Sequence, residues 1–175
     1  VKVPAPPPSS PLATSGSSAV IAVGIALVSG KDRLPGSQEY AGVVVRSDDG
    51  GSSWSRDLIR GTTSLGAVCG RGDLVIALGF MGAVQKSTDG GKTFASLASP
   101  GEYDACVVAD GGKVVLAGKG GAIARSADGG ASFEKTTLPA SVDVGALGLE
   151  PNGAIVARAP GASFVSVDGG TSWKP

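Results

Sequence analysis

The amino-acid sequence predicts an all-β protein made of repeated four-stranded units. Short apolar runs alternate with turn residues, and no run free of Gly and Pro exceeds nine residues, so an ordinary helix has no place to form. One eight-residue motif occurs four times, with its aspartate at Asp49, Asp89, Asp128 and Asp168. The spacings of 40, 39 and 40 residues match four short strands with their turns. We therefore predict a β-propeller of four-stranded antiparallel blades, or a four-blade part of one.

The motif reads S-x-D-G-G-x-[ST]-[WF] in all four copies, as in Ser47 to Trp54. Consecutive glycines allow the positive φ values that reverse the chain between two strands, and the carboxylate can accept hydrogen bonds from the turn. The aromatic residue begins the next strand and can bury its ring against a neighbouring blade. We expect a structural role for these side chains, which are Asp49, Asp89, Asp128, Asp168, Trp54, Phe94, Phe133 and Trp173.

This motif resembles the Asp box, or BNR repeat, of sialidases, sortilin-type receptor domains and propeller-type photosystem assembly factors. The resemblance covers about residues 17–175. It agrees with blades at about residues 17–60, 61–99, 100–139 and 140–175, in which each box joins the outer two strands. Unit one carries about ten extra residues, 31–40, between its second and third strands. Lengthened loops of this kind are where propellers tend to place specificity.

Residues 1–16 contain five prolines among Ala and Ser and are predicted to form a linker or tail. Such a tail often follows a removed export signal, which favours a secreted, periplasmic or cell-surface protein, although a cut at a domain boundary would look the same. The 15 basic and 15 acidic residues balance, so no net field gathers nucleic acid or an anionic membrane. No apolar run approaches the roughly 20 residues that would insert into a bilayer.

The last unit ends with only the beginning of its fourth strand. An open strand edge favours aggregation, so something is expected to cover it. Three arrangements are open: a closed four-blade ring, a homo-oligomer in which two chains complete a larger ring, and a fragment of a longer chain. We favour the last.

Catalysis by this chain is not expected. The segment from Leu27 to Arg33 is similar to the early blade of sialidases, but the Arg-Ile-Pro motif of that family is missing, and Arg33 lies too close to the first box to replace it. The sequence has no histidine, which removes the usual general base and the commonest zinc ligand. We predict no metal and no cofactor. The alternative is the N-terminal part of a sialidase-like glycoside hydrolase, whose other catalytic groups would come from further blades.

The two cysteines fall on the predicted first strands of units two and three. Cys69 precedes its box aspartate by 20 residues and Cys106 by 22. Both offsets are even, which places the thiols on the same face of their respective blades, with one sheet between them. We therefore expect two buried free thiols.

The face of the propeller opposite the boxes is the predicted binding surface. It carries the turns between second and third strands and the connections between blades, with the side chains Lys31, Arg33, Glu39, Tyr40, Phe80, Met81, Tyr103 and Lys119. Phe80 and Met81 together form an apolar turn tip, which either needs a partner to cover it or folds over the central channel. The predicted function is a non-catalytic module that binds a protein or a glycan through this face.

Overall fold

The computed structural model describes residues 12–15, 19–27, 40–59, 62 and 64–175. These residues form fifteen strands in four antiparallel sheets and contain no α-helix, which confirms the predicted all-β propeller architecture. Blade one consists of β1 (Leu12–Ser15), β2 (Ala19–Leu27), β3 (Tyr40–Ser47) and β4 (Ser55–Ile59). Blade two consists of β5 (Leu65–Arg71), β6 (Leu74–Gly79), β7 (Val84–Ser87) and β8 (Ala95–Leu97).

The third and fourth blades repeat this plan. Blade three consists of β9 (Ala105–Val108), β10 (Val114–Ala117), β11 (Ala122–Ser126) and β12 (Glu134–Thr137). Blade four consists of β13 (Ala146–Leu149), β14 (Ile155–Ala159) and β15 (Ala162–Ser166), and its fourth position is held by a bridge between Val165 and Lys174. Strands pair in chain order within every blade, and each box lies between the third and fourth positions.

Blade one begins earlier than the sequence suggested. Leu12–Ser15, which we assigned to the linker of residues 1–16, is a strand that pairs with β2 in the register Leu12 to Ala22 and Ser15 to Ala19. This pairing gives β2 a hydrogen-bonded neighbour on each side, so blade one has the same four strands as blades two and three. The preceding residues 1–11 lie outside the described residues.

Three apolar clusters hold the blades together, one at each interface. The cluster between blades one and two contains Ile21, Val44 and Val75. The cluster between blades two and three contains Ile76 and Leu116. The cluster between blades three and four contains Ile155, Phe164 and Trp173. None of the three clusters joins blade four to blade one, so the described residues do not form the closed four-blade ring. A larger ring of two chains, or further blades of a longer chain, stays a prediction.

Each interface uses the second glycine of a box as a contact point. Gly91 has φ +84°, and a Cβ atom there would lie 2.6 Å from Cδ1 of Ile21 in the preceding blade. At Gly170 the corresponding atom would lie 2.8 Å from Val115. Phe94, Phe133 and Trp173 each pack in the cluster shared with the preceding blade, whereas Trp54 belongs to none of the three clusters. The box therefore both turns the chain and joins two blades.

Hydrogen bonds inside each box fix the turn. In blade three the buried Ser126 donates through Oγ to Oδ1 of Asp128 at 2.6 Å and accepts from Gly130 N at 2.7 Å. Asp128 also accepts from the backbone N and from Oγ of Ser132, at 2.9 and 2.6 Å. The other three boxes repeat this network.

The same bonds favour the charged form of each carboxylate. Donation from Ser53, first through its hydroxyl and then through its backbone N–H, lowers the pKa of Asp49 from 3.8 to about 2. Hydroxyl donors likewise lower the pKa of the other box aspartates, led by Ser87 at Asp89, Ser126 at Asp128 and Ser172 at Asp168.

The cysteines form a disulfide between blades two and three, so the prediction of free thiols was wrong. The Cα atoms of Cys69 and Cys106 are 5.8 Å apart. In blade two Arg71 pairs with Leu74 across a two-residue turn, whereas in blade three Ala109 bonds to Lys113 across a three-residue turn. The extra residue reverses which face of β9 each side chain occupies, so the two thiols face each other where β5 and β9 pack together.

Acid should unfold the protein through its boxes. Because the folded-state pKa of the four box aspartates lies below the ordinary value, their contribution to stability is present above about pH 4 and is lost as the pH falls through the folded pKa. We expect the free energy of unfolding in urea to fall between about pH 4 and pH 2. Asp128→Asn should lower stability at pH 7 and make the acid dependence shallower. The matched control Asp57→Asn, at an exposed position on β4, should leave that dependence unchanged, and equal slopes for both variants would contradict the assignment.

Removal of the disulfide should weaken the protein strongly. The double variant Cys69→Ala and Cys106→Ala opens a covalent loop of sequence separation 37, and such a loop contributes about 4 kcal/mol by restricting the unfolded chain. We expect the urea midpoint of the double variant to lie below that of the oxidised wild type. The midpoint of the wild type treated with a reducing agent should be lowered in the same way. Equal midpoints for oxidised wild type and double variant would mean that the bond does not contribute.

Candidate functional site

The turn between β6 and β7 departs from the equivalent turn of blade three. Phe80–Gly82 occupies the position that Lys119–Gly121 has between β10 and β11. Met81 has φ 57° and ψ 33°, and it is the one non-glycine residue with positive φ in the part of the chain that the structure describes. Gly120 holds the same conformation at φ 63°. A side chain in this left-handed region costs roughly 1–2 kcal/mol, so blade two keeps Met81 at the expense of stability.

Both apolar side chains at this turn are exposed. Phe80 is 65% and Met81 76% accessible, so the described residues leave both side chains uncovered. We name Phe80 and Met81 the apolar tip. An exposed aromatic residue beside an exposed methionine is typical of a surface that another molecule covers.

Two clefts lie on either side of Phe80. The outer cleft, of about 360 Å³, runs beside β7 and β8 and is lined by Phe80, Met81, Gln85, Ser96, Leu97 and Ser99 among others. The inner cleft, of about 330 Å³, lies beside β5 and β6 and includes Leu78, Phe80, Tyr103 and Asp104. Phe80 therefore forms the wall that the two clefts share, and Met81 borders the outer cleft alone.

Gln85 at the base of the outer cleft is a second departure from the repeat. It lies four residues before its box aspartate, where the other blades carry Val45, Ala124 and Phe164. The Gln85 side chain is buried, at 3% exposure, and its Nε2 donates to Oγ of Ser96 at 2.9 Å. Its Oε1 accepts no hydrogen bond from the described residues. A buried amide whose hydrogen-bonding groups are only partly paired lowers the free energy of unfolding. The presence of Gln85 at this position therefore calls for an explanation other than folding.

Ser96 is the third departure. It pairs with Gln85 in the register of β7 and β8. The equivalent pairs are Val45 with Arg56 in blade one and Ala124 with Lys135 in blade three. Blade two therefore has a small hydroxyl side chain where its neighbours have a long cation, which leaves room for the cleft.

The remaining predicted binding residues are divided between this site and its surroundings. Tyr103 is buried at 8% exposure, packs in the cluster between blades two and three and forms a wall of the inner cleft, so it is a less accessible residue than expected. Burial also raises the pKa of its hydroxyl. Lys119 is exposed at the equivalent turn of blade three, and Tyr40 is half exposed at the start of β3. Lys31, Arg33 and Glu39 lie outside the described residues.

Sequence reasoning missed Gln85, Ser96 and Ser99. A signal for Gln85 was present, because aligning the four units on their box aspartates shows one polar residue at an otherwise apolar position. Ser96 and Ser99 gave no comparable signal, since serine is ordinary near a turn and the lining of a cleft depends on how blades pack.

Metal-ligand clusters and membrane-spanning helices are both absent from the described residues. Its Cys, Asp and Glu side chains nowhere gather in a group of three or more that could hold a metal ion. No helix in these residues has the length and apolar character needed to cross a membrane.

Comparison with known proteins shows the fold. No protein-family model matches the chain, and no curated protein matches it by sequence. The solved structure of YCF48 bound to D1 peptide is similar to it, with a TM-score of 0.70 and 18% identity over 100% of this chain and 56% of that one. YCF48 from Cyanidioschyzon merolae gives 0.61 and 19%, covering 98% of this chain and 57% of that one.

An enzyme is also among the similar structures. The GH74 enzyme of Niastella koreensis has a TM-score of 0.58 and 24% identity over 93% of this chain and 24% of that chain. This chain therefore spans little more than half the length of the two YCF48 structures and a quarter of the enzyme. The similarity confirms a propeller fold.

Proposed function

We propose that this protein is a non-catalytic propeller module that binds a protein partner through the face carrying the apolar tip. The observation that carries the proposal is Met81, which is exposed and held in a conformation that favours glycine. Blade three forms the same turn with Lys119 and Gly120, so folding does not require an apolar pair there. Backbone strain kept beside an exposed aromatic ring is typical of a recognition site.

The surroundings of the tip support this proposal. Two clefts adjoin it, which gives a partner shape to fit as well as apolar area. A structurally similar propeller has been solved with a peptide bound. Tyr40 and Lys119 extend the surface to blades one and three, and Lys31, Arg33 and Glu39 stay predicted contributors from the long loop of blade one.

We further propose that the protein works outside the reducing cytosol. The disulfide between Cys69 and Cys106 is the observation in favour, because such bonds form and persist in exported proteins. A secreted, periplasmic or cell-surface location agrees with this bond.

A glycan partner and a sialidase-like activity are the competing functions. The structural resemblance to a glycoside hydrolase favours testing them. We expect no turnover of a fluorogenic sialoside by this protein, because the sequence lacks the Arg-Ile-Pro motif of sialidases and Arg33 lies too close to the first box to replace it. Turnover that disappears in Arg33→Ala would reverse this conclusion.

Replacement of the apolar tip by the turn of blade three tests the binding function. The double variant Phe80→Lys and Met81→Gly should keep or raise the free energy of unfolding, by up to about 1 kcal/mol, because the strain at Met81 is relieved. A displayed random peptide library should yield binders for the wild type, and these binders should lose affinity for the variant.

The matched control is Val167→Ser. Val167 is an exposed apolar residue, 81% accessible, but it lies in the box of blade four on the opposite face. Its replacement should leave peptide binding unchanged. Equal binding by wild type and tip variant, or enrichment on a glycan array with none in the peptide library, would overturn the proposed partner.

A further inference from the structure

We propose that the outer cleft binds an uncharged, extended peptide segment, whose main-chain amide pairs with Gln85 and whose apolar side chain packs on the apolar tip. This inference rests on the proposed protein-binding function and assigns its ligand chemistry. It starts from the fact that three departures from the repeat, at the tip, at Gln85 and at Ser96, line one cleft. Substitutions that served no common ligand would be expected at positions scattered over the blades.

Gln85 supplies the hydrogen-bonding part of the site. Its amide is buried and oriented by the bond from Nε2 to Ser96. Oε1 has no donor among the described residues, and one Nε2 hydrogen is still available after the bond to Ser96. An acceptor and a donor side by side in one plane match the N–H and C=O groups of a peptide main chain. A ligand with such groups would complete the hydrogen bonding of the Gln85 amide, which is only partly paired within the folded protein.

The lining of the cleft indicates a neutral ligand. Each residue that the structure describes along its wall is uncharged, and its polar groups are the hydroxyls of Thr62, Ser96 and Ser99 beside the Gln85 amide. The cations found at the Ser96 position in blades one and three are absent here. A charged group would enter this cleft without a counter-charge among the described residues of its wall, which is unfavourable.

The apolar tip supplies the side-chain contact. Phe80 offers a ring, and Met81 offers an unbranched thioether that adapts to different shapes. Val84 and Leu97 continue the apolar wall into the cleft. A large apolar side chain next to the paired main-chain amide would cover this surface. Apolar side chains adjoining amide groups are a property of peptides more than of sugars, whose hydroxyl groups would face these apolar walls.

The experiment combines protein variants with modified peptides. Peptides selected on the wild type would be bound to Gln85→Leu, which carries an apolar residue like the other blades, and to Ser96→Lys, which fills the cleft with the residue of blade three. We expect both variants to remain folded and to bind about tenfold more weakly or worse, because a buried hydrogen bond is lost or the cleft is blocked.

A double-mutant cycle isolates the main-chain contact. N-methylation of one peptide amide should weaken binding to the wild type about tenfold and have little effect on Gln85→Leu, because both changes remove the same hydrogen bond. Equal losses in the two proteins would overturn the inference.

Other outcomes separate this inference from the function it rests on. If the tip variant loses binding while Gln85→Leu and Ser96→Lys retain it, the protein-binding function holds and the assignment to the outer cleft is overturned. Selected peptides that require a charged residue would also overturn it. If neither peptides nor glycans bind the wild type, the function and the inference fail together.

Discussion

The turn formed by each copy of the Ser-x-Asp-Gly-Gly motif governs the architecture of the propeller. Its aspartate and serine satisfy the hydrogen bonds of the turn. In blades two to four its second glycine also lets the preceding blade approach to within contact distance, as Ile21 does at Gly91. A side chain at that glycine would meet both an unfavourable φ and a neighbouring blade. The same motif therefore reverses the chain and joins adjacent blades, and it recurs at intervals of about 40 residues.

The disulfide shows how one residue in a turn changes a tertiary contact. Side chains alternate between the faces of a strand, so a turn with three residues instead of two exchanges the faces of β9. The boxes of blades two and three make the same hydrogen bonds, yet their first strands differ in phase, and Cys106 faces Cys69. Counting backward from the box was unreliable because it assumed that every turn between box and cysteine had the same length.

The candidate site is best understood as a set of deviations from a regular scaffold. The repeat provides an internal reference, because blade three shows what the same positions require for folding alone. Against that reference, Met81 carries backbone strain and Gln85 carries a partly satisfied buried amide. Both reduce stability and both border the outer cleft, which is the pattern expected where binding, and not folding, has determined the residue.

Local turn chemistry and a fixed period were enough to predict the number of blades, the position of every box and the absence of α-helix from the described residues. It also identified Phe80 and Met81 as an apolar turn tip. Three features could be recognised only in the folded protein: the first strand of blade one, the pairing of Cys69 with Cys106 and the outer cleft. Each of these features depends on contacts between segments that are distant in sequence, as when Thr62 and Ser96 both line the outer cleft. A local sequence pattern does not specify such contacts.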